Sequence, residues 1–108
     1  MHEDQIINSV ASIFSAHLGD VEGIKLYIIG SRAAGTHRPT SDFDFWIETQ
    51  TPLPANRWDR FRSAVAKLPT LYRIDLVLAS ETDQSFINVV ESQTKKEIAF
   101  GKITTQRS

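Results

Sequence analysis

Asp42 and Asp44 stand two residues apart in Ser41-Asp42-Phe43-Asp44, and Asp75 lies in the apolar run Arg73-Ile74-Asp75-Leu76-Val77. Side chains of a strand alternate, so positions i and i+2 project from one face. On that spacing Asp42 and Asp44 reach a common cation, and Asp75 joins them if its strand is a neighbour. Three carboxylates so close repel one another, and a divalent metal supplies the missing positive charge. Hard oxygen donors suit Mg2+, which keeps some waters and is completed by substrate phosphates. Upstream, Gly30-Ser31-Arg32-Ala33 closes another apolar run. Glycine lets backbone approach a ligand, Ser31 caps a turn or donates its hydroxyl, and the first N–H groups of a helix opening near Arg32 face an anion. Gly30, Ser31, Arg32, Arg38 and Ser41 form the candidate nucleotide-binding set, and Asp42, Asp44 and Asp75 the candidate catalytic and metal-ligating set. Together they are the equipment for moving a nucleotidyl group.

Each piece has a plainer reading. An Asp-x-Asp pair is often a strand end or turn cap, and a Gly-Ser after a strand is usually only a turn. A carboxylate in an apolar strand is more unusual and must be satisfied or paired; the plainer reading of Asp75 is a salt bridge to Arg73 or Arg38. The joint occurrence, in this order, favours chemistry. Outside the set, His2, His17 and His37 are not spaced as a metal cluster. His17 belongs to the end of the first helix and His37 to the loop before the acids. Trp46 shares a face with Asp44 and is a candidate to stack on a base, Trp58 reads as core, and Lys95-Lys96-Glu97 as a solvated charge cluster.

The elements that must position these residues follow from periodicity. Ile6, Ile7, Val10, Ile13, Phe14 and Leu18 recur at helical spacing over residues 3–18, and Gly19 stops the helix. Lys25 to Ile29 suits a central strand buried on both faces. Residues 35–40 are turn-rich and predict an exposed loop. Phe43, Phe45 and Ile47 alternate with Asp44, Trp46 and Glu48 as in a half-buried strand. Pro52 and Pro54 break the chain before a helix with Trp58, Phe61, Val65 and Leu68 on one stripe. Tyr72 to Leu78 reads as a third strand, and a helix over about residues 82–92 is expected to turn Phe86, Ile87, Val89 and Val90 inward. Glu97 to Ile103 predicts an edge strand broken by Gly101, and residues 104–108 a polar tail. Strands separated by helices imply an α/β (α+β) domain: a small mixed sheet flanked by helices, as a single domain over residues 1–108.

Composition narrows the function classes. A chain of 108 residues supports one core but no second lobe. Its formal net charge is -1, so no sequence-wide basic field draws it to nucleic acid or anionic membrane. The absence of cysteine excludes disulfides, thiolate metal sites and a thiol nucleophile. No stretch reaches the roughly 20 apolar residues of a membrane span, and no basic-then-apolar leader opens the chain. A cytoplasmic protein is the expectation.

Gly30-Ser31-Arg32-Ala33-Ala34-Gly35, then Arg38, then Ser41-Asp42-Phe43-Asp44, with Asp75 as third acid, resembles the signature of the DNA polymerase β-like nucleotidyltransferase superfamily. The compact form with one helix ahead of the motif is similar to the minimal nucleotidyltransferase (MNT) domain. The likeness runs from about residue 26 to 78. It implies a small mixed sheet flanked by helices, with Gly30 and Ser31 binding the triphosphate of an incoming nucleotide. Asp42 and Asp44 would ligate Mg2+, and Asp75 would complete the site or serve as base. The implied reaction transfers a nucleoside monophosphate, usually AMP from ATP, to a hydroxyl, with two metals about 4 Å apart stabilising the attacking and leaving oxygens. MNT domains are often paired with a helical HEPN protein as antitoxin, and some modify a tyrosine on that toxin. Such a partner would account for the lack of a separate acceptor-binding domain. Phe43, Phe45 and Trp46 are bulkier than the residues usual in the corresponding strand, which leaves base selectivity open.

The competing reading is a non-catalytic antitoxin or nucleotide-binding module that acts by occluding its partner. Asp-x-Asp also occurs in metal-dependent glycosyltransferases, which need a longer chain, and in aspartyl-phosphate phosphatases, which lack an upstream Gly-Ser. No glycine-rich segment ends in Gly-Lys-Ser/Thr, and Gly30 to Gly35 lacks the middle glycine of the dinucleotide fingerprint.

Overall fold

The computed structural model describes residues 1–101. Its elements run α1 (Glu3–Leu18), β1 (Lys25–Ile29), the single turn α2 (Ser31–Ala34), β2 (Phe43–Glu48), α3 (Ala55–Ala66), β3 (Ile74–Leu78), a 3-10 turn (Ala79–Glu81), α4 (Gln84–Glu91) and β4 (Lys96–Phe100). The strands form one mixed sheet in the order β3-β2-β1-β4. Antiparallel neighbours join β1 to β2 and to β4, whereas β2 and β3 run parallel. A parallel pair needs a long crossover, which α3 supplies.

Alternation sorts the strands onto two faces. Leu26, Ile28, Phe43, Phe45, Ile47 and Leu78 point to one side and pack with Ile6, Val10, Phe14 and Leu18 of α1 and Trp58, Phe61 and Val65 of α3. Tyr27, Ile29 and Trp46 point to the other, under Val90 and Ile87 of α4. The α1 residues recur every four positions, so one stripe buries against the sheet while the opposite side stays wet. Ile74 and Leu76 pack at the edge of the first core as expected, but β3 itself begins at Ile74, not Tyr72.

Two further sequence expectations change, and a third is met as far as the described residues reach. In α4 only Val90 is buried; Phe86 and Val89 are 40% and 45% exposed. An eight-residue helix lays one stripe on the sheet, here the Ile87/Val90 stripe, and neighbouring positions about 100° around it cannot follow. Lys95 is no solvated charge: its Nζ reaches Glu48 Oε2 at 2.6 Å and Glu91 Oε1 at 3.3 Å, and lies 4.6 Å from the centre of the Tyr27 ring. It ties the end of α4 to the sheet. The last strand is present to Phe100, and Gly101 N–H donates to the Ile24 carbonyl at 2.8 Å. A methyl on Gly101 would stand 2.4 Å from both Ile24 and the Val21 carbonyl, so the chain leaves β4 where only glycine fits. The expected strand beyond Gly101 and the polar tail lie outside the described residues. No helix among those described is long and apolar enough to cross a membrane.

Candidate active site

The site forms where the C-terminal end of β1 meets the N-terminal ends of β2 and β3. Gly30 leaves β1 with φ +74°, a conformation that L side chains rarely adopt. Its missing side chain is also a spatial requirement. A Cβ there would stand 2.8 Å from Asp44 Oδ2, so the turn lies directly against that carboxylate. Within α2 the first helical bonds are donated by Ala33 and Ala34 N–H to the Gly30 carbonyl, both at 3.1 Å. The N–H groups of Ser31 and Arg32 precede them and stand at the open end of the turn.

Asp44 and Asp75, far apart in the chain, are paired in register on the parallel strands β2 and β3. Both project on the face opposite the α1/α3 core. Burial holds the Asp44 carboxyl above the usual aspartate range, and the charges of Asp75 and then Asp42 push it further. A hydrogen bond with Asp75 also favours its protonated form, and Arg73 opposes the shift. This is the electrostatic signature of carboxylates crowded without sufficient countercharge.

Asp42 is exposed and sits just ahead of β2, not within it. The strand alternation used to align it with Asp44 therefore does not bind it. Among the described residues no three His, Cys, Asp or Glu side chains converge tightly enough to hold a metal as they stand. The donor chemistry nonetheless fits a hard divalent cation. Asp44 and Asp75 offer crowded oxygens, and Asp42 adds charge from the adjacent loop.

The two candidate arginines part company. Arg32 is buried and fully engaged within the protein. Its Nε and Nη2 donate to the Ser41 carbonyl at 3.2 and 2.8 Å, and its Nη1 meets Glu3 Oε1 at 3.1 Å. The guanidinium lies 3.8 Å from the centre of the Phe43 ring. The expectation that Arg32 meets phosphate does not fit these surroundings; it clamps the Ser41 loop and α1 onto the sheet. Ser41 is likewise a brace, its Oγ accepting from Arg38 N–H at 2.9 Å. Arg38 keeps an exposed side chain on the loop between turn and acids.

Asp75 takes one of its plainer partners as well, Arg73 Nε at 3.2 Å, but Arg73 is 72% exposed and such a surface pair contributes little. His37 leans towards Glu3, 3.9 Å away. Trp46 does not stack on a ligand: it is 1% exposed, donates from Nε1 to Glu48 Oε2 at 3.0 Å and packs under Phe86. Sequence reasoning missed Glu3, whose role as anchor of Arg32 has no local signal.

Comparison with known proteins agrees with this geometry. A structure from Shewanella oneidensis superposes with a TM-score of 0.59 at 18% identity, over 94% of this chain and 74% of that one. A toxin-antitoxin structure with AMP-PNP gives 0.58 at 20% identity, over 89% and 73%. The complex of a tri-AMPylated Shewanella oneidensis HEPN toxin with an MNT antitoxin gives 0.55 at 17%, over 92% and 72%. At these identities the likeness is one of fold. No curated protein sequence matches. The family model of the nucleotidyltransferase domain matches residues 4–104, nearly the whole chain. Turn, paired acids and mixed sheet thus have one explanation: the chain belongs to the nucleotidyltransferase domain family.

Proposed function

We propose that this chain is a Mg2+-dependent adenylyltransferase that moves AMP from ATP to a hydroxyl of a partner protein, and that it serves as the antitoxin of a HEPN/MNT-type pair. The observation that carries the reading is the register of Asp44 with Asp75 beneath the Gly30 turn. It brings two distant carboxylates to one point beside the turn. The structural neighbours, which include a toxin-antitoxin structure with AMP-PNP and an AMPylated toxin in complex with its antitoxin, support the nucleotide and the partner class.

In this reading the Ser31 and Arg32 N–H groups, the Ser31 hydroxyl and Arg38 hold the triphosphate. Arg32 and Ser41 keep the turn in place. Asp42, Asp44 and Asp75 would hold Mg2+, which supplies charge neutralisation at the attacking and leaving oxygens. Asp75 orients the acceptor hydroxyl and receives its proton. The Gly30 turn covers part of Asp44, and that partial burial strengthens its electrostatic interactions.

The test is label transfer from ATP carrying a labelled α-phosphate, with Mg2+, using the chain purified together with its bound partner. Wild type is expected to label the partner, and Asp42→Asn/Asp44→Asn to lose at least 100-fold in rate while remaining folded. Mg2+ alone should raise the melting temperature of wild type by relieving the carboxylate repulsion, and leave the double variant unmoved. Undiminished labelling by the variant would sink the reading. A variant that no longer labels yet still neutralises its partner in cells would shift it to occlusion.

A further inference from the structure

The sheet face from which Asp44 and Asp75 project is crossed by α4. β3 runs parallel to β2 and ends with Leu78 opposite Ile47, at the end of the sheet far from the acids. β4 begins at Lys96 opposite Ile28, close to the end where Ile29 faces Asp44. The helix between them therefore runs obliquely from the far end of β3 to the near end of β4, with Ile87 and Val90 packed among Tyr27, Ile29 and Trp46. Successive helix positions stand 100° apart, so with Val90 turned to the sheet, Glu91 and Val89 lie on opposite flanks. Lys95 ties Glu91 to Glu48 at the far end of β2, which fixes the direction of that flank. Val89, and Phe86 one turn earlier on the same side, consequently face the corner of the sheet that holds Asp44 and Asp75.

Both side chains are exposed, and Phe86 rests on Trp46 with ring centres 5.8 Å apart and planes tilted by 52°. Trp46 follows Asp44 on the same face, roughly 7 Å along the strand. An aromatic ring is thus held next to the acids with one side left for a ligand. In displacement at phosphorus the attacking and leaving oxygens stand roughly in line, and the other substituents radiate across that line. The Gly30-Ser31 turn follows β1 and Asp75 lies on β3, on opposite sides of Asp44 in β2, so the line runs across the strands. Of the two directions along the strands, one leads past their starts, where the charged Asp42 and Arg73 stand, and the other to the α4 flank. An uncharged planar base suits the second.

We propose that Phe86 and Val89 form the wall against which the base of the bound nucleoside triphosphate stacks. The inference rests on the nucleotide reading proposed above and extends it to the part of the ligand that turn and acids do not touch. Stacking on an aromatic ring accepts any base, because every base has a π-face. The wall therefore fixes where the base lies and leaves its edges unread, and purines, with the larger faces, gain most. The contact that Trp46 is too buried to make falls to the ring packed over it.

The test uses the chain purified with its bound partner, in Mg2+, and compares binding of AMP-PNP with binding of inorganic triphosphate, which has the phosphates without the nucleoside. Phe86→Ala is expected to weaken AMP-PNP by about fivefold or more and Val89→Ser by about threefold. Triphosphate binding should change less than twofold in both. Phe86→Trp, which keeps a ring at the position, should hold AMP-PNP as tightly as wild type. Phe100→Ala, at an exposed apolar position opposite Lys25 at the far end of the sheet, should change neither ligand. Val89 is exposed, so Val89→Ser decides the matter where Phe86→Ala unsettles Trp46. Wild-type affinity for AMP-PNP in both weakened variants overturns the wall, and so does an equal loss of triphosphate, which would make the flank a prop for the acids. Loss of the partner with AMP-PNP affinity unchanged assigns the flank to the partner and also overturns it. No binding of AMP-PNP by wild type removes the nucleotide reading itself, and this inference with it.

Discussion

Gly30 answers two demands at once, a backbone at φ +74° and an Asp44 oxygen where its side chain would be. Gly30→Ala is expected to cost on the order of 1 kcal/mol or more in backbone strain alone and to push the Asp44 carboxylate aside. Melting should fall by several degrees and label transfer at least tenfold; a wild-type transfer rate in a folded Gly30→Ala protein would show that the turn does not hold the acid. The glycine, the serine and the acids were visible in the sequence because their types are unusual for their positions. Which arginine was free was not visible. Arg32 and Arg38 look alike in the chain, and only the packing of Phe43 and Glu3 around one guanidinium separates them.

At the scale of elements, α4 is the helix held by least. It lies on the second sheet face through Val90 and Ile87, and its start depends on Asp83, whose carboxylate accepts from Phe86 N–H at 3.0 Å. The Ser85 hydroxyl, then the Phe86 amide, hold the Asp83 carboxyl below the ordinary 3.8. A depressed folded-state pKa means that the stabilisation is present above 3.8 and is lost as pH falls through the lowered value. Asp83→Ala is accordingly expected to lower the melting temperature by a few degrees near neutral pH, with the gap to wild type closing in strong acid. A gap that persists unchanged in acid would assign the loss to something other than the charged cap. Periodicity foretold this helix but not its buried stripe, since Phe86, Ile87, Val89 and Val90 are equally apolar and the sheet has room for one row.

Across the whole molecule, the Arg32 guanidinium joins α1 through Glu3, the acid-bearing loop through Ser41 and the sheet through Phe43. Removing one partner of a buried pair costs about 3–5 kcal/mol, and Glu3 keeps enough solvent to soften this. Arg32→Met is expected to cost on the order of 2 kcal/mol, roughly 10 °C in melting temperature, and to weaken AMP-PNP binding by loosening the turn. An unchanged melting curve would return Arg32 to the phosphate role that its sequence position suggested. The order of strands and helices, the family, and the identity of turn and acids were already determined by the sequence, because periodicity and residue type are properties of short segments. The register of Asp44 with Asp75, the spending of Arg32 on α1 and the burial of Trp46 were decided only by tertiary structure. Each depends on which distant segment packs alongside, and a segment carries no local record of its neighbour.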